Sequence, residues 1–300
     1  MATLYTHQSS NVRKTWFLMT VFLIFIIGFS YVVSVLMGNP VILYFGVIIS
    51  LLINIGSYWH SDTLVIKMTG AVPATMEQHR ELINVVENLA ITAGLPMPKV
   101  YIVNDLAPNA FATGRNPEHA AVAVTSGLLQ ILDRSELEGV LAHELSHIGN
   151  CDILVSTVAV VLAGFIAIIS DMLMRSMLWG GGRDRDSKAG LIFIVLGIVG
   201  IILAPIAAQM IQMAVSRKRE YLADASGALL TRYPEGLASA LEKISAHSQP
   251  MRRANNATAH LFIADPFGNE KRTLGQKISG LFQTHPSASD RIKILRDMDI

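Results

Sequence analysis

A single cysteine, Cys151, stands in the whole chain. No disulfide framework can form within it, and a lone thiol suits a reducing compartment. Charge is scarce as well. Asp, Glu, Lys and Arg make up 16% of the residues, where a soluble domain carries about 25%. What charge there is nearly cancels, to a net +1, which leaves no basic surplus of the kind a nucleic-acid partner calls for. Internal repeats and long low-complexity segments are absent too. What remains is apolar: 51% of the residues are hydrophobic and the mean hydropathy is +0.44, so part of the chain does not face water.

The stretch from Thr15 to Trp59 contains no charged residue. A helix needs about 20 mostly apolar residues to cross a bilayer, so this stretch holds two, near Trp16–Met37 and Val41–Trp59. Gly38-Asn39-Pro40 is the turn between them. The first run is too long for the core of a signal peptide, and a second span follows at once. Two further apolar runs, Ile153–Ser170 and Ala189–Ser216, flank a loop at about 175–188 that is rich in Gly and charge. Arg13 and Lys14 precede the first span, and Arg217, Lys218 and Arg219 follow the fourth. By the positive-inside rule both termini lie in the cytoplasm.

The rest of the chain reads as soluble. Thr75-Met76-Glu77-Gln78 has capping-box spacing for a helix with Leu82, Ile83, Val86 and Leu89 on one face, stopped by Gly94 and Pro96. Val100–Val103 and Ala120–Val124 read as short buried strands. The expected layout is a cytosolic segment 1–15, a membrane hairpin 16–59, a first catalytic part 60–152, a second pair of spans 153–216, and a second catalytic part 217–300.

Chemistry concentrates after Ser135-Glu136-Leu137-Glu138, which has the spacing of another helix start. On that helix Leu137, Leu141, Leu145 and Ile148 form an apolar face, and His143-Glu144-Leu145-Ser146-His147 occupies a different one. Residues at i and i+4 point the same way, so both imidazoles can bind one ion, and nitrogen ligands suit Zn²⁺. Glu144 sits beside the metal without ligating it, where it can take a proton from the attacking water. Chance yields roughly one such match per hundred chains of this composition. A catalytic zinc needs a third protein ligand and an open position. Glu220, His285, His247 and His260 are the candidates. Glu220 and Asp224 lie four apart on one helix face, so one can bind metal while the other orients a ligand histidine.

The His143–His147 motif followed by Gly149, Asn150 and Asp152, with the downstream Glu220 and Asp224, resembles the HtpX family of bacterial membrane metalloproteases, relatives of the CAAX prenyl endoproteases. Asn109-Ala110-Phe111-Ala112-Thr113-Gly114 and His285-Pro286-Ser287 also look like stretches of that family. The resemblance implies Glu220 as third ligand of one zinc per chain, Glu144 as catalytic base, and Asp224 as partner of a ligand histidine. It implies a mainly α membrane protein with about four transmembrane helices, and a cytosolic α+β catalytic domain of the gluzincin type with a small sheet. It further implies residence in the bacterial cytoplasmic membrane and cleavage of membrane or unfolded protein substrates in quality control.

Three expectations concern substrate. His285 or Arg291 is a possible donor to the oxyanion, fixed by a helix start at Ser287-Ala288-Ser289-Asp290. Phe111 and Ala112, on an edge strand, are possible contacts for an extended peptide, with Asn109 beside them. Substrates are expected to be cut near the membrane, because the helices bearing both ligand sets adjoin spans. The rival reading is a non-catalytic membrane scaffold with a structural zinc, closed by a fourth ligand such as His285; Glu144 argues against it. A transporter would carry ionisable residues within its spans, and these spans have almost none.

Overall fold

The computed structural model describes residues 4–180, 216–247, 249–253, 258–268 and 286–299. The first charge-free stretch folds as an antiparallel hairpin, α1 (Leu4–Met37) and α2 (Val41–Thr69). Gly38 turns it with φ 62°, a conformation that glycine adopts without steric cost. The two helices approach through small residues. A Cβ on Gly46 would run into the Ser30 side chain, and Ser50, Asn54, Ser57 and Ser61 continue the buried stripe. Ser50, Asn54 and Ser57 return their polar groups to carbonyls of their own helix. Tyr44, Phe45, Ile48, Leu52 and Ile55 are exposed on the opposite side, as a lipid-facing surface requires.

Among the described residues, three helical segments are long and apolar enough to cross a membrane: Ser9–Met37, Val41–Thr69 and Asp152–Asp171. The fourth expected span, Ala189–Ser216, lies outside the described residues apart from Ser216, as does the loop beyond residue 180. Several boundaries differ from expectation. The first helix starts at Leu4, inside the segment read as a cytosolic tail. The second continues past Trp59 to Thr69 through a non-helical residue, His60 (φ −124°, ψ 15°). Its last turns are amphipathic and bury Val65 and Ile66 in the soluble domain, which is why they do not stop at the aromatic edge. α6 (Asp152–Gly180) likewise runs into the stretch expected to begin a loop at residue 175.

Outside the spans, the described residues form a sheet of four strands in the order β1-β2-β4-β3. They are β1 (Val72–Pro73), β2 (Lys99–Val103), β3 (Ala110–Gly114) and β4 (Ala120–Thr125). β2 and β4 run parallel, and β1 and β3 are antiparallel to their neighbours. Every residue of β3 and β4 is buried, because both faces of the sheet are covered. Ala110, Ala112, Val122 and Val124 join the core beneath α3 (Arg80–Ala93) and α5 (Arg134–Gly149). Their neighbours Phe111, Ala121 and Ala123 pack with Val65, Val160 and Phe262 on the other side.

Two helix starts move. α3 begins at Arg80 with no side-chain cap, and residues 76–78 form a turn ahead of it. A short helix, α4 (Ser126–Ile131), precedes α5, whose cap is Asp133 rather than Ser135. Glu136 N–H donates to Asp133 Oδ1 at 3.0 Å, and Asp133 N–H donates to Glu136 Oε2 at 2.8 Å. Ser135 spends its hydroxyl on Asp133. α7 (Arg217–Thr231) and α8 (Pro234–Ala246) pack against α5, and α9 (Ala288–Arg296) closes the domain, capped by Ser287 as the sequence predicts.

The third span is wedged into this assembly. Its first turns bury Val155, Val158, Ala159 and Leu162 against Leu18, Phe22 and Ile26 of α1. Thr157 Oγ1 meets Thr113 Oγ1 at 3.0 Å and accepts from Gly114 N–H at 3.3 Å. A membrane helix is thereby fastened to the edge strand of the soluble sheet.

Candidate active site

Helix α5 carries His143 and His147 one turn apart, and their Nε2 atoms stand 3.2 Å from each other. α7 brings Glu220 to the same point. Its Oε2 is 3.8 Å from His143 Nε2 and its Oε1 is 3.5 Å from His147 Nε2. The approach depends on Gly227, because a Cβ there would stand 2.9 Å from the backbone nitrogen of His143. All three residues offer one donor atom within 4.8 Å of the others. Two nitrogens each about 2.0–2.1 Å from a tetrahedral ion stand about 3.3–3.4 Å apart. The observed spacing therefore fits a metal ion, and so does the chemistry of the donors.

The far sides of the two rings are equally well defined. His143 Nδ1 lies 2.9 Å from Asp224 Oδ1, and His147 Nδ1 lies 3.1 Å from Asp152 Oδ2. An Nδ1–H held by a carboxylate aims Nε2 at the shared point and, in the neutral ring, leaves it free to bind a metal. Asp224 is held in turn by Arg291, through Nη2 at 2.6 Å and Nε at 2.9 Å. The forked guanidinium matches both carboxylate oxygens.

These surroundings separate the two histidines when no ion neutralises the cluster. Burial, reinforced by the Arg291 guanidinium, holds His143 down at about 4. Burial pulls His147 down as well, but the bond to Asp152 and the charge of Glu220 overcome it and raise it to about 9. Burial pushes the Asp224 carboxyl up, and the charge of Arg291 outweighs that, leaving it at about 2.

The cleft in front of the cluster has walls from five elements. α5 supplies Glu144, which is 2% exposed. β3 supplies Ala112, α6 supplies Ile153 and Ser156, α7 supplies Arg219, and the turn Ala259–Leu261 supplies His260. Among the expected substrate residues that the structure describes, Ala112 alone lines this cleft. Phe111 points to the opposite face of the sheet, against Phe262 at 5.1 Å, because adjacent strand residues alternate sides. Asn109 is a clamp: its Nδ2 donates to Ala264 O at 3.0 Å and its Oδ1 accepts from Ala264 N–H at 3.2 Å. Arg291 is 1% exposed behind His143, with Nη1 donating to Ile263 O. Its donors face Asp224 and that carbonyl, with Nη2 also 3.4 Å from both ring nitrogens of His143, and it is not among the residues lining the cleft. His285 lies outside the described residues. His247 is exposed at the end of α8 with its Nδ1 near Lys243 O.

Sequence reasoning gave Asp152 no role, although it lies five residues past His147. The turn between the helices brings it back. Cys151 takes φ 55°, a left-handed conformation that ends α5 and starts α6. The same residue breaks the run of helix between α5 and α6. Ser216 is also extended (φ −147°, ψ 121°), so the Glu220 helix starts afresh at Arg217.

The sequence model of peptidase family M48 matches residues 76–299. A Protease HtpX homolog of Caldanaerobacter subterraneus subsp. tengcongensis is 46% identical over 304 residues, covering 99% of each chain. A Protease HtpX homolog of Syntrophobacter fumaroxidans is 48% identical over 256 residues, covering 84% of this chain and 88% of its own. Among solved structures, the crystal structure of S. mikatae Ste24p gives a TM-score of 0.48 at 16% identity, over 95% of this chain and 62% of that one. Since the family match contains every residue of the metal cluster, and relatives named as HtpX homologs align over nearly the full length, this chain belongs to peptidase family M48 as a membrane metalloprotease of the HtpX group.

Proposed function

We propose that this protein is a zinc-dependent endopeptidase that cuts membrane or misfolded proteins close to the cytoplasmic membrane, in protein quality control. One observation carries the reading. The third membrane-spanning helix begins at Asp152, which holds His147, and its next residues Ile153 and Ser156 wall the cleft. A bond cut in that cleft lies within a turn or two of a membrane span.

Two imidazole nitrogens and one carboxylate, with room for a fourth ligand, suit a catalytic Zn²⁺. His143, His147 and Glu220 are the ligands in this reading, one ion per chain. Bound there, zinc would supply Lewis acidity to the scissile carbonyl and an activated water. Glu144, buried in the same cleft, takes the water's proton and returns it to the leaving amine. Asp224 and Asp152 keep the ligand rings in the tautomer that presents Nε2.

The edge strand supplies a template. Ile263 N–H donates to Ala110 O at 3.0 Å, so Ala110 faces away from β4. Alternation then turns the N–H and C=O of Ala112 to the same open side, in the cleft. An extended substrate backbone pairs with Ala112 there. The catalytic domain faces the cytoplasm, consistent with Arg13 and Lys14 near the start of α1. The domain order is the alternation of membrane pairs and catalytic parts already laid out, with the first boundary inside α1 and the second past His60.

Among the described residues three donors converge, short of the four that a closed structural site requires. The test is cleavage of single-span substrates whose scissile bond is moved outward from the span by inserted residues. Cleavage is expected to fade as the bond leaves the membrane surface. Equal cleavage at every distance would sink the membrane-proximal reading.

A further inference from the structure

The N-terminal helix reaches the metal cluster through one buried amide. Asn11 is 2% exposed and lies at the start of the first apolar span. Its Nδ2 donates to Asp152 Oδ1 at 2.8 Å and to the Asn150 carbonyl at 3.1 Å. Its Oδ1 accepts from Arg219 Nη1 at 3.4 Å. That guanidinium also donates to Asp152 Oδ1, again at 3.4 Å. The other oxygen of Asp152 faces His147 Nδ1.

Both amide protons and the amide oxygen of Asn11 are therefore engaged, and each partner belongs to the site. Asn150 is in the turn that ends the ligand helix, Asp152 orients one ligand, and Arg219 directly precedes another. A buried amide is costly unless satisfied, and here its satisfaction is spent wholly on this cluster. The chemistry selects asparagine. Leucine could not donate to Asp152, and aspartate would set a second carboxylate against it.

We propose that Asn11 is a positioning residue of the metal centre, holding the Asp152 carboxylate in the orientation that fixes His147. The first membrane helix is then part of the catalytic machinery as well as an anchor. The proposal rests on the reading of His143, His147 and Glu220 as ligands. Outer partners of ligand histidines change metal affinity by roughly 10–100-fold when removed. Asn11 acts through one such partner, so a loss of about tenfold, at the lower end of that range, is expected.

The experiment measures zinc affinity of the full chain in detergent, by competition with a chromophoric chelator. Wild type is compared with Asn11→Leu, Asn11→Asp, Asp152→Asn and the Asn11→Leu/Asp152→Asn double variant. Expected are a loss of about tenfold for Asn11→Leu, a larger loss for Asn11→Asp, and no further loss from Asn11→Leu once Asp152 is Asn. A role in packing alone gives additive losses, or a lowered melting temperature with unchanged affinity, and either overturns the proposal. Should Asn11→Leu fail to fold, Asn11→Asp decides, since it keeps the size and polarity of the side chain; unchanged zinc affinity there is also contrary. His147→Ala separates the two claims. If it binds zinc like wild type, the ligand assignment itself fails. If it loses zinc while the Asn11 variants keep it, only the role of Asn11 falls.

Discussion

Arg291 and Asp224 form a buried two-pronged ion pair, at 2.6 and 2.9 Å, directly behind His143. Removing one member of such a pair strands the other charge and costs about 3–5 kcal/mol. Arg291→Met is therefore expected to lower unfolding stability by about that amount, measured by denaturant titration of the apo protein. The Asp224 carboxyl lies at about 2 in the fold, below its ordinary 3.8. Its stabilising contribution is thus present above pH 3.8 and lost as pH falls through 2. In Arg291→Met that contribution should vanish, and Arg291→Met/Asp224→Asn should recover part of the loss.

Metal uptake should release a proton. At neutral pH, without an ion, His147 at about 9 is protonated and His143 at about 4 is not. An ion binds only the unprotonated ring. About one proton per zinc should therefore appear near pH 7, and apparent affinity should rise about tenfold per pH unit until His147 has titrated. Calorimetry in buffers of different ionisation enthalpy counts the protons. No release at pH 7 would contradict the electrostatic contrast between the two histidines.

Gly227 sets how closely α7 can approach α5. A Cβ at that position would meet the His143 backbone at 2.9 Å, so Gly227→Val must push Glu220 away from the two imidazoles. Zinc affinity should drop by about tenfold or more, by analogy with disturbed ligand support. Retained affinity would mean that Glu220 is not required for binding.

Ala112→Pro removes one N–H from the open edge of β3, where proline is tolerated best. The variant should bind zinc normally and cleave peptide substrates more slowly, through a raised KM. Unchanged KM would place the substrate backbone elsewhere.

The His143–His147 helix was legible because a helix repeats every 3.6 residues, so both histidines could be placed on one face from spacing alone. Glu220 and Asp224 shared that logic, but the close approach that unites the two helices depends on Gly227, which no local pattern marks. Asp152 escaped because its position follows from one left-handed residue, Cys151, outside any periodic element. Asn11 escaped for a different reason. Its partners lie 139 to 208 residues away in sequence, and a lone amide before an apolar run has no spacing to interpret. Phe111 and Asn109 were assigned to substrate from their neighbourhood, yet strand alternation and a backbone clamp take them into the core.

The most direct test compares wild type with Glu144→Gln, both purified in detergent and assayed for zinc content and for cleavage of a single-span substrate. One zinc per chain is expected in each, with cleavage by the variant reduced about 10²–10⁴-fold, the usual contribution of a general base. Zinc-loaded Glu144→Gln cutting at the wild-type rate would contradict that role.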